Sequence, residues 1–535
     1  MEQQSISEHK EREHFFSSAK VVAGITFISR LFGFVRDMGI TSLGALGYND
    51  AFGLAFKIPN LFRRLFGEGA LASAFVPVFT DVYEKQGLEK ARLLLANAFA
   101  ILTVFLAFLL VIGELGFLGY SLLPVPKDHK VLMFFAIIMY PYMFTVCLLA
   151  LCSAALNSRG HFIYPAAAPI IFNIFGIAAA WWLAPLLQEN LKGQLTIVAF
   201  SVVIAGIVQL AAVLWLLKKS GLYQTPRLKP REPGIAQILK LLTPMLIGLG
   251  FLQFSEFFQD LIAYSLRATA EADSFSIFGY KILFPLNEGV IVRVGAARAF
   301  YQFPMGIFAI SLGIAVFPLM SRYALRDDIV NLRGSINRAI RLSLMEGMAS
   351  GVGLFVLAEP IMMIYARRRF TVDDSIQAAF ILKTYVLGMW AYCSYQILAR
   401  AFYACKDTKT PLKVSCILSV VSLVLFLALV FIPHIGIAAF GLSTSITFSI
   451  NAVVLILILR KRLGLLGGRK IAASLARTLV GCAVMAAVVY LLRFYMKDMN
   501  YLLILAVCVP AGAIAFISSV VLLKAPEIKE LMGRA

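Results

Sequence analysis

Two short stretches of this sequence set charges among apolar residues. "FKIPNLFRRLFGEGALASAFVP" (56–77) holds Lys57, Arg63, Arg64 and Glu68, and "SRLFGFVRD" (29–37) holds Arg30, Arg36 and Asp37. An ionisable side chain at mid-bilayer depth costs about 2.5–3.5 kcal/mol on insertion scales, so each needs a partner, water or a task. Arg30 and Asp37 lie seven apart and share a helical face, while Arg36 points elsewhere. Asn60, Arg64 and Glu68 follow at four-residue steps, which predicts a local Arg64–Glu68 pair. Arg63 then sits about 100° round the helix, facing something else. Asp50 and Lys57 form a second seven-spaced pair. Five cations against three carboxylates (Asp37, Asp50, Glu68) do not cancel. A plain network of internal ion pairs fits Arg30, Lys57 and Arg64 as well as any task does; it fits Arg36 and Arg63 less well. A cationic cavity implies an anionic cargo, and guanidinium forks match phosphate oxygens bidentately.

Other polar residues extend the candidate set. Glu256 and Asp260, near Gln253 and Gln259, are four apart on one face of an apolar stretch. They are candidates for a coupling proton or monovalent cation, although such a face more often just lines an aqueous cavity. Arg298 opens a later apolar stretch, close to "YQFP" (301–304). Pro59 and the "GEG" at 67–69 are expected to break their helix, as a simple kink, a hinge or a cavity wall. The seven cysteines show no metal-ligand spacing and read as buried thiols. No metal site, cofactor or GxxxxGK[ST] phosphate loop is expected, and no nucleophile–base set appears. A lipid-phosphate transferase would need an acidic metal-binding cluster that the sequence lacks. The chain therefore reads as a transporter, not an enzyme.

The elements that must position these residues are membrane helices. Of 535 residues 60% are hydrophobic, and mean hydropathy is +0.84. Soluble domains hold about 45–50% apolar residues. Apolar runs of about 20 residues recur and predict an all-α polytopic membrane protein with about fourteen transmembrane helices. Residues 1–20 are polar, so the first span is expected to stay as its own anchor. The net charge of +20 reflects basic loops rather than nucleic-acid binding. One alternating set of loops and tails holds 29 Lys and Arg and the other holds 11, which predicts cytoplasmic N- and C-termini. "AFVPVFTDVY" around Pro77 matches "AVFPLMSRYA" around Pro318, and "ALNSRGHFIYP" ending at Pro165 matches "AFYACKDTKTP" ending at Pro411. The two offsets, 241 and 246, predict a repeat. The expected organisation is a cytoplasmic tail (1–18), a six-helix lobe (19–217), a basic proline-rich linker (218–240) and a second six-helix lobe (241–459). Two further helices and a cytoplasmic tail occupy 460–535. The lobes should surround a central cavity. The segment 267–297 is expected outside the membrane, with an interfacial helix around "FSIFGYKILFPLNEG".

"SRLFGFVRD" (29–37), "NDAFGLAFKIPNLFRRLFGEGALASAFVPVF" (49–79) and "FYACKDTKTPLK" (402–413) resemble the MurJ (MviN) family of lipid II flippases. The resemblance covers essentially the whole chain and extends to the superfamily of multidrug MATE antiporters. It implies flipping of lipid II, the undecaprenyl-diphosphate-linked peptidoglycan precursor, across the bacterial cytoplasmic (inner) membrane by alternating access. It implies lipid II, membrane lipids and peptidoglycan synthesis proteins as partners, and the membrane potential or a monovalent ion as driver. The family's cavity arginines match Arg30, Arg36 and Arg63, and its acidic residue near the second span matches Asp50. Asn60, Arg64 and Glu68 match recurrent motif residues. Arg298 stands six residues before Pro304, one place from the family's usual spacing. The rival readings are a flippase for another lipid-linked saccharide, a MATE-type drug antiporter and a cell-wall scaffold. A MATE-type exporter of cations predicts an acidic or neutral cavity, against which the arginines count.

Overall fold

A computed structural model describes residues 21, 24–67, 70–188, 190–229, 232–269, 272–277 and 280–527. Glu68 and Gly69 fall outside them. The chain is helical almost throughout and separates into two compact units, Met1–Tyr264 and Ser265–Ala535.

The first unit holds helix α1 (24–41), α2 (Gly47–Phe62), α3 (Ala70–Leu122), α4 (Lys127–Met139), α5 (Pro141–Ser158), α6 (Ile163–Ile177), α7 (Leu191–Lys219) and α8 (Pro233–Ser265). Its breaks are written in the sequence. Pro59 removes one backbone donor from α2. The helix then runs into a wider π-helical turn at Arg63–Gly67, a distortion that shifts side-chain facing by inserting a residue into the turn. The distortion follows Pro59 within the second span; of the "GEG" expected to interrupt it, Glu68 and Gly69 lie outside the described residues. Gly87, at φ 82°, divides α3 into two helices, a backbone state that favours glycine. Asn190 caps α7 by accepting from Gly193 N at 2.9 Å. The basic linker is docked: Asn97 Nδ2 donates to the Lys229 carbonyl (2.7 Å) and the Glu232 carboxylate (2.6 Å), and Lys229 N donates back to Asn97 Oδ1 (2.8 Å).

Helix α8, which opens the second expected lobe, belongs by packing to the first unit. Its Tyr264 hydroxyl donates to the Asp128 carbonyl of α4 at 2.8 Å. The packing boundary, after Tyr264, falls a helix beyond the expected start of the second lobe at 241.

The second unit holds α9 (Val290–Pro304), α10 (Ile310–Leu325), α11 (Ile329–Val356), α12 (Ala358–Met362), α13 (Val372–Val386), α14 (Met389–Ala404), α15 (Lys409–Val430), α16 (Ala439–Leu463), α17 (Gly468–Tyr495) and α18 (Tyr501–Leu522). Its core lies among α11, α14 and α16, where Ile336, Ile397, Phe402 and Leu455 are fully enclosed. Helices α17 and α18 pack on each other, and α17 packs along α11. The interfacial helix expected within 267–297 is not what forms there. Ser274–Ile277 (β1) and Tyr280–Leu283 (β2) pair antiparallel, with Ser274 opposite Leu283. The physical reason is a period-two alternation of aromatic and β-branched residues with Ser and Lys, which suits a pleated strand better than a helix. Phe275 and Ile282 meet across the pair.

Among the described residues nine helical stretches are long and apolar enough to cross a membrane. Large apolar side chains such as Phe108, Leu115, Ile207 and Leu457 stand exposed on them. A surface of that kind is stable against lipid tails rather than water. The cysteines form no disulfide; Cys405 and Cys416 are half-buried and the other five buried.

The "FYACKDTKTP" motif closes the turn between α14 and α15. Asp407 accepts from Thr410 N (2.9 Å) and Thr410 Oγ1 (2.5 Å) and pairs with Arg462 at the end of α16. Burial pushes its carboxyl up, but the bonds from Thr410 and Arg462 prevail and hold it at about 2.

Candidate functional site

The first unit holds an open-sided cavity of about 660 Å³, and Arg30, Arg36, Asn60 and Arg63 all line it. These are the four first-unit residues expected to meet a substrate. Helix α1 supplies Arg30 and Arg36, and α2 with its π-helical turn supplies Asn60 and Arg63. Asn60 Oδ1 accepts from Arg63 Nε at 3.0 Å, which orients that guanidinium. Arg30 is exposed into the cavity.

Arg36 is held on three sides. Its Nε (3.0 Å) and Nη2 (2.6 Å) donate to Asp37, and its Nη1 donates to Asn173 of α6 at 2.9 Å. The guanidinium lies 5.0 Å from the ring centre of Phe172, a cation–π contact. A Cβ at Gly176 would stand 2.7 Å from Cγ and Cδ of Arg36, so glycine is needed there for the arginine stem to pass. Among the described residues these hydrogen bonds use three of the five N–H donors of a guanidinium. Two remain for a ligand. Asp37 was expected to share a face with Arg30, and the bond it makes is with Arg36.

Two tertiary ion pairs join second-span cations to α8. Arg64 turns out of the cavity and reaches Glu256 (3.2 Å) and Gln253 (3.1 Å) on α8. Its predicted partner Glu68 lies outside the described residues. Lys57 pairs with Asp260 of α8. Asp260 has no exposed surface. Asp50, also fully buried, sits in the first turn of α2, where the helix dipole favours a carboxylate. Glu256 and Asp260, the candidate coupling residues, are therefore the anionic partners of Arg64 in the π-helical turn and Lys57 of α2. Helix-wheel spacing sees only neighbours within one helix, so it missed a neighbour 192 or 203 residues away.

Arg298 lies in the second unit. It is buried, and its Nε donates to the Tyr385 hydroxyl at 2.9 Å, with Tyr301 stacked on Tyr385 at 4.8 Å. Phe172 and Asn173 of α6 and Gln209 of α7 are among the cavity residues that the sequence reading did not single out. A single Asn inside the apolar run "PIIFNIFG" was the available signal, since an amide in such a helix needs a partner. Among the described residues no group of three or more His, Cys, Asp or Glu is placed to hold a metal ion.

The sequence profile described as lipid II flippase MurJ matches residues 40–509. The chain belongs to the MurJ family. The probable lipid II flippase MurJ of Vibrio cholerae serotype O1 is 29% identical over 458 residues, covering 83% of this chain and 82% of that one. The MurJ of Rickettsia prowazekii, also named a probable lipid II flippase, is 29% identical over 497 residues, covering 91% and 92%. Among solved structures, a lipid II flippase MurJ in an inward closed conformation superposes with a TM-score of 0.73 at 22% identity, covering 95% of this chain and 99% of that one. An inward-facing MATE-family multidrug transporter of the MOP superfamily superposes with a TM-score of 0.64 at 13% identity, covering 84% and 98%. The MurJ fold, and the wider MOP fold behind it, is thus shared along nearly the whole chain.

Proposed function

We propose that this chain flips lipid II from the inner to the outer leaflet of the bacterial cytoplasmic membrane by alternating access. The observation that carries the reading is the convergence of Arg30, Arg36 and Arg63 on one cavity in a member of the MurJ family. Relatives along most of the chain are named lipid II flippases. The diphosphate is taken by the unspent donors of Arg36 together with Arg63, which Asn60 orients. Arg30 adds long-range attraction for the anion. Arg298 is assigned a supporting role from the second unit. Basic loops on one side support cytoplasmic termini. The repeat offsets support two homologous halves at 19–217 and 241–459. Moving one charge through 100 mV is worth about 2.3 kcal/mol, which makes the membrane potential a sufficient driver.

The test is a leaflet assay. In cells depleted of the protein, lipid II should accumulate in the inner leaflet and become inaccessible from outside, and the wild-type gene should restore access. Normal outer-leaflet exposure in depleted cells would falsify the reading. Inner-leaflet accumulation of a different lipid-linked saccharide would keep the transport class and replace the cargo.

A further inference from the structure

We propose that Gln209 makes the cavity selective for a phosphate that carries a sugar, by accepting a hydrogen bond from a hydroxyl or amide N–H of that sugar. The inference rests on the cavity being the diphosphate site. Gln209 lies on α7, lines the cavity and is 3% exposed. Its Nε2 donates to the Ala168 carbonyl of α6 at 2.7 Å. A carbonyl only accepts, so this bond fixes which end of the amide is nitrogen. The other end, Oε1, is enclosed and has no hydrogen-bond partner among the described residues. Buried acceptors are nearly always satisfied, and an unsatisfied one on a residue that lines a cavity is a place for an arriving donor.

The surroundings fit the same ligand chemistry. Pro165 and Pro169 of α6 line this part of the cavity. Pro169 has no N–H, so the Pro165 carbonyl loses its usual helical donor. Asn157 and Ser153 of α5 also face the cavity and bring no charge. Ala168 and Asn173 are five residues apart, about 7.5 Å along α6. Asn173 holds Arg36, and Ala168 holds Gln209. One helix therefore sets a cationic locus and an acceptor-rich locus a short distance apart. A diphosphate at the first places its attached sugar at the second, while a bare diphosphate leaves the second empty.

The experiment measures binding of lipid II and of undecaprenyl diphosphate, which has no sugar, to the purified full chain in detergent. Wild type should prefer lipid II. Gln209→Met should bind undecaprenyl diphosphate as wild type does and lose on the order of tenfold of the preference, the worth of about one hydrogen bond. Gln209→Glu keeps an acceptor and adds charge; it should weaken both ligands and retain their ratio. If the methionine variant does not fold, Gln209→Ala, which strains nothing, reads the same ratio. A preference unchanged in the methionine or alanine variant overturns the role of Gln209 while leaving the cavity as the diphosphate site. Wild type that binds neither lipid overturns both.

Discussion

The ammonium of Lys57 on α2 is bonded to the carboxylate of Asp260 on α8, a side chain with no exposed surface. One step along the same interface, Arg64 meets Glu256 at 3.2 Å. Removing one partner of a buried pair strands the other charge, at a cost of about 3–5 kcal/mol. Lys57→Met should therefore lower the thermal unfolding midpoint of the purified protein clearly. Lys57→Met combined with Asp260→Leu should recover most of the loss. Arg64→Met should cost much less, because both members of its pair are over a third exposed. A Lys57→Met midpoint equal to wild type would show that Asp260 is neutralised some other way.

The two adjacent arginines make separable predictions. Arg63 faces the cavity and Arg64 faces α8. Arg63→Ala and Arg36→Ala should abolish complementation of a depleted strain at normal expression. Arg63→Lys should retain part, since a point charge replaces a planar fork. Arg64→Ala should still complement. Equal loss from Arg63→Ala and Arg64→Ala would remove the distinction between them.

How legible this site was in the sequence depended on distance along the chain. The cationic cavity followed from charge imbalance within residues 29–68, and Arg30, Arg36, Asn60 and Arg63 do line one space. The partners of Lys57 and Arg64 were not legible, because α8 reaches them only through packing. Asn173 and Gln209 were hidden for a related reason. A lone amide in an apolar helix shows that it needs a partner but not which one. The strands Ser274–Ile277 and Tyr280–Leu283 stand where an interfacial helix was expected; their period of two is the signal that distinguishes them.

Asp407 carries a pH prediction. Its folded carboxyl is held at about 2, below the ordinary 3.8. A depressed carboxylate stabilises the fold fully above its ordinary value and loses that contribution as pH falls through the folded one. Stability conferred by the 402–413 turn should therefore be flat from neutral pH down to about 4 and decline below it. Asp407→Asn should flatten that decline and lower the neutral-pH midpoint modestly. Melting curves of both proteins between pH 2 and pH 7 make the comparison. An acid limb of the same steepness in the variant would assign the decline to other groups.

The segment after the last helix is tied into the second unit by a buried ion pair. Arg341, inside α11, bonds to Glu527, which is 1% exposed. Arg341 Nε also donates to Asn337 Oδ1 at 3.1 Å, and Asn337 Nδ2 donates to the Leu466 carbonyl at 2.6 Å, at the entry to α17. At the far end of α17, Arg493 pairs with Glu359, which also binds Lys383 of α13 at 2.8 Å. The α17–α18 pair is thus fastened to the unit at both ends of α17. Glu527→Gln should lower stability, because Arg341 is left charged and buried. A double reversal, Arg341→Glu with Glu527→Arg, should restore more stability than the sum of the two single reversals allows, a coupling that a double-mutant cycle measures directly. Additive effects across that cycle would mean the two charges are neutralised separately, and the C-terminal segment would then be docked by its apolar contacts alone.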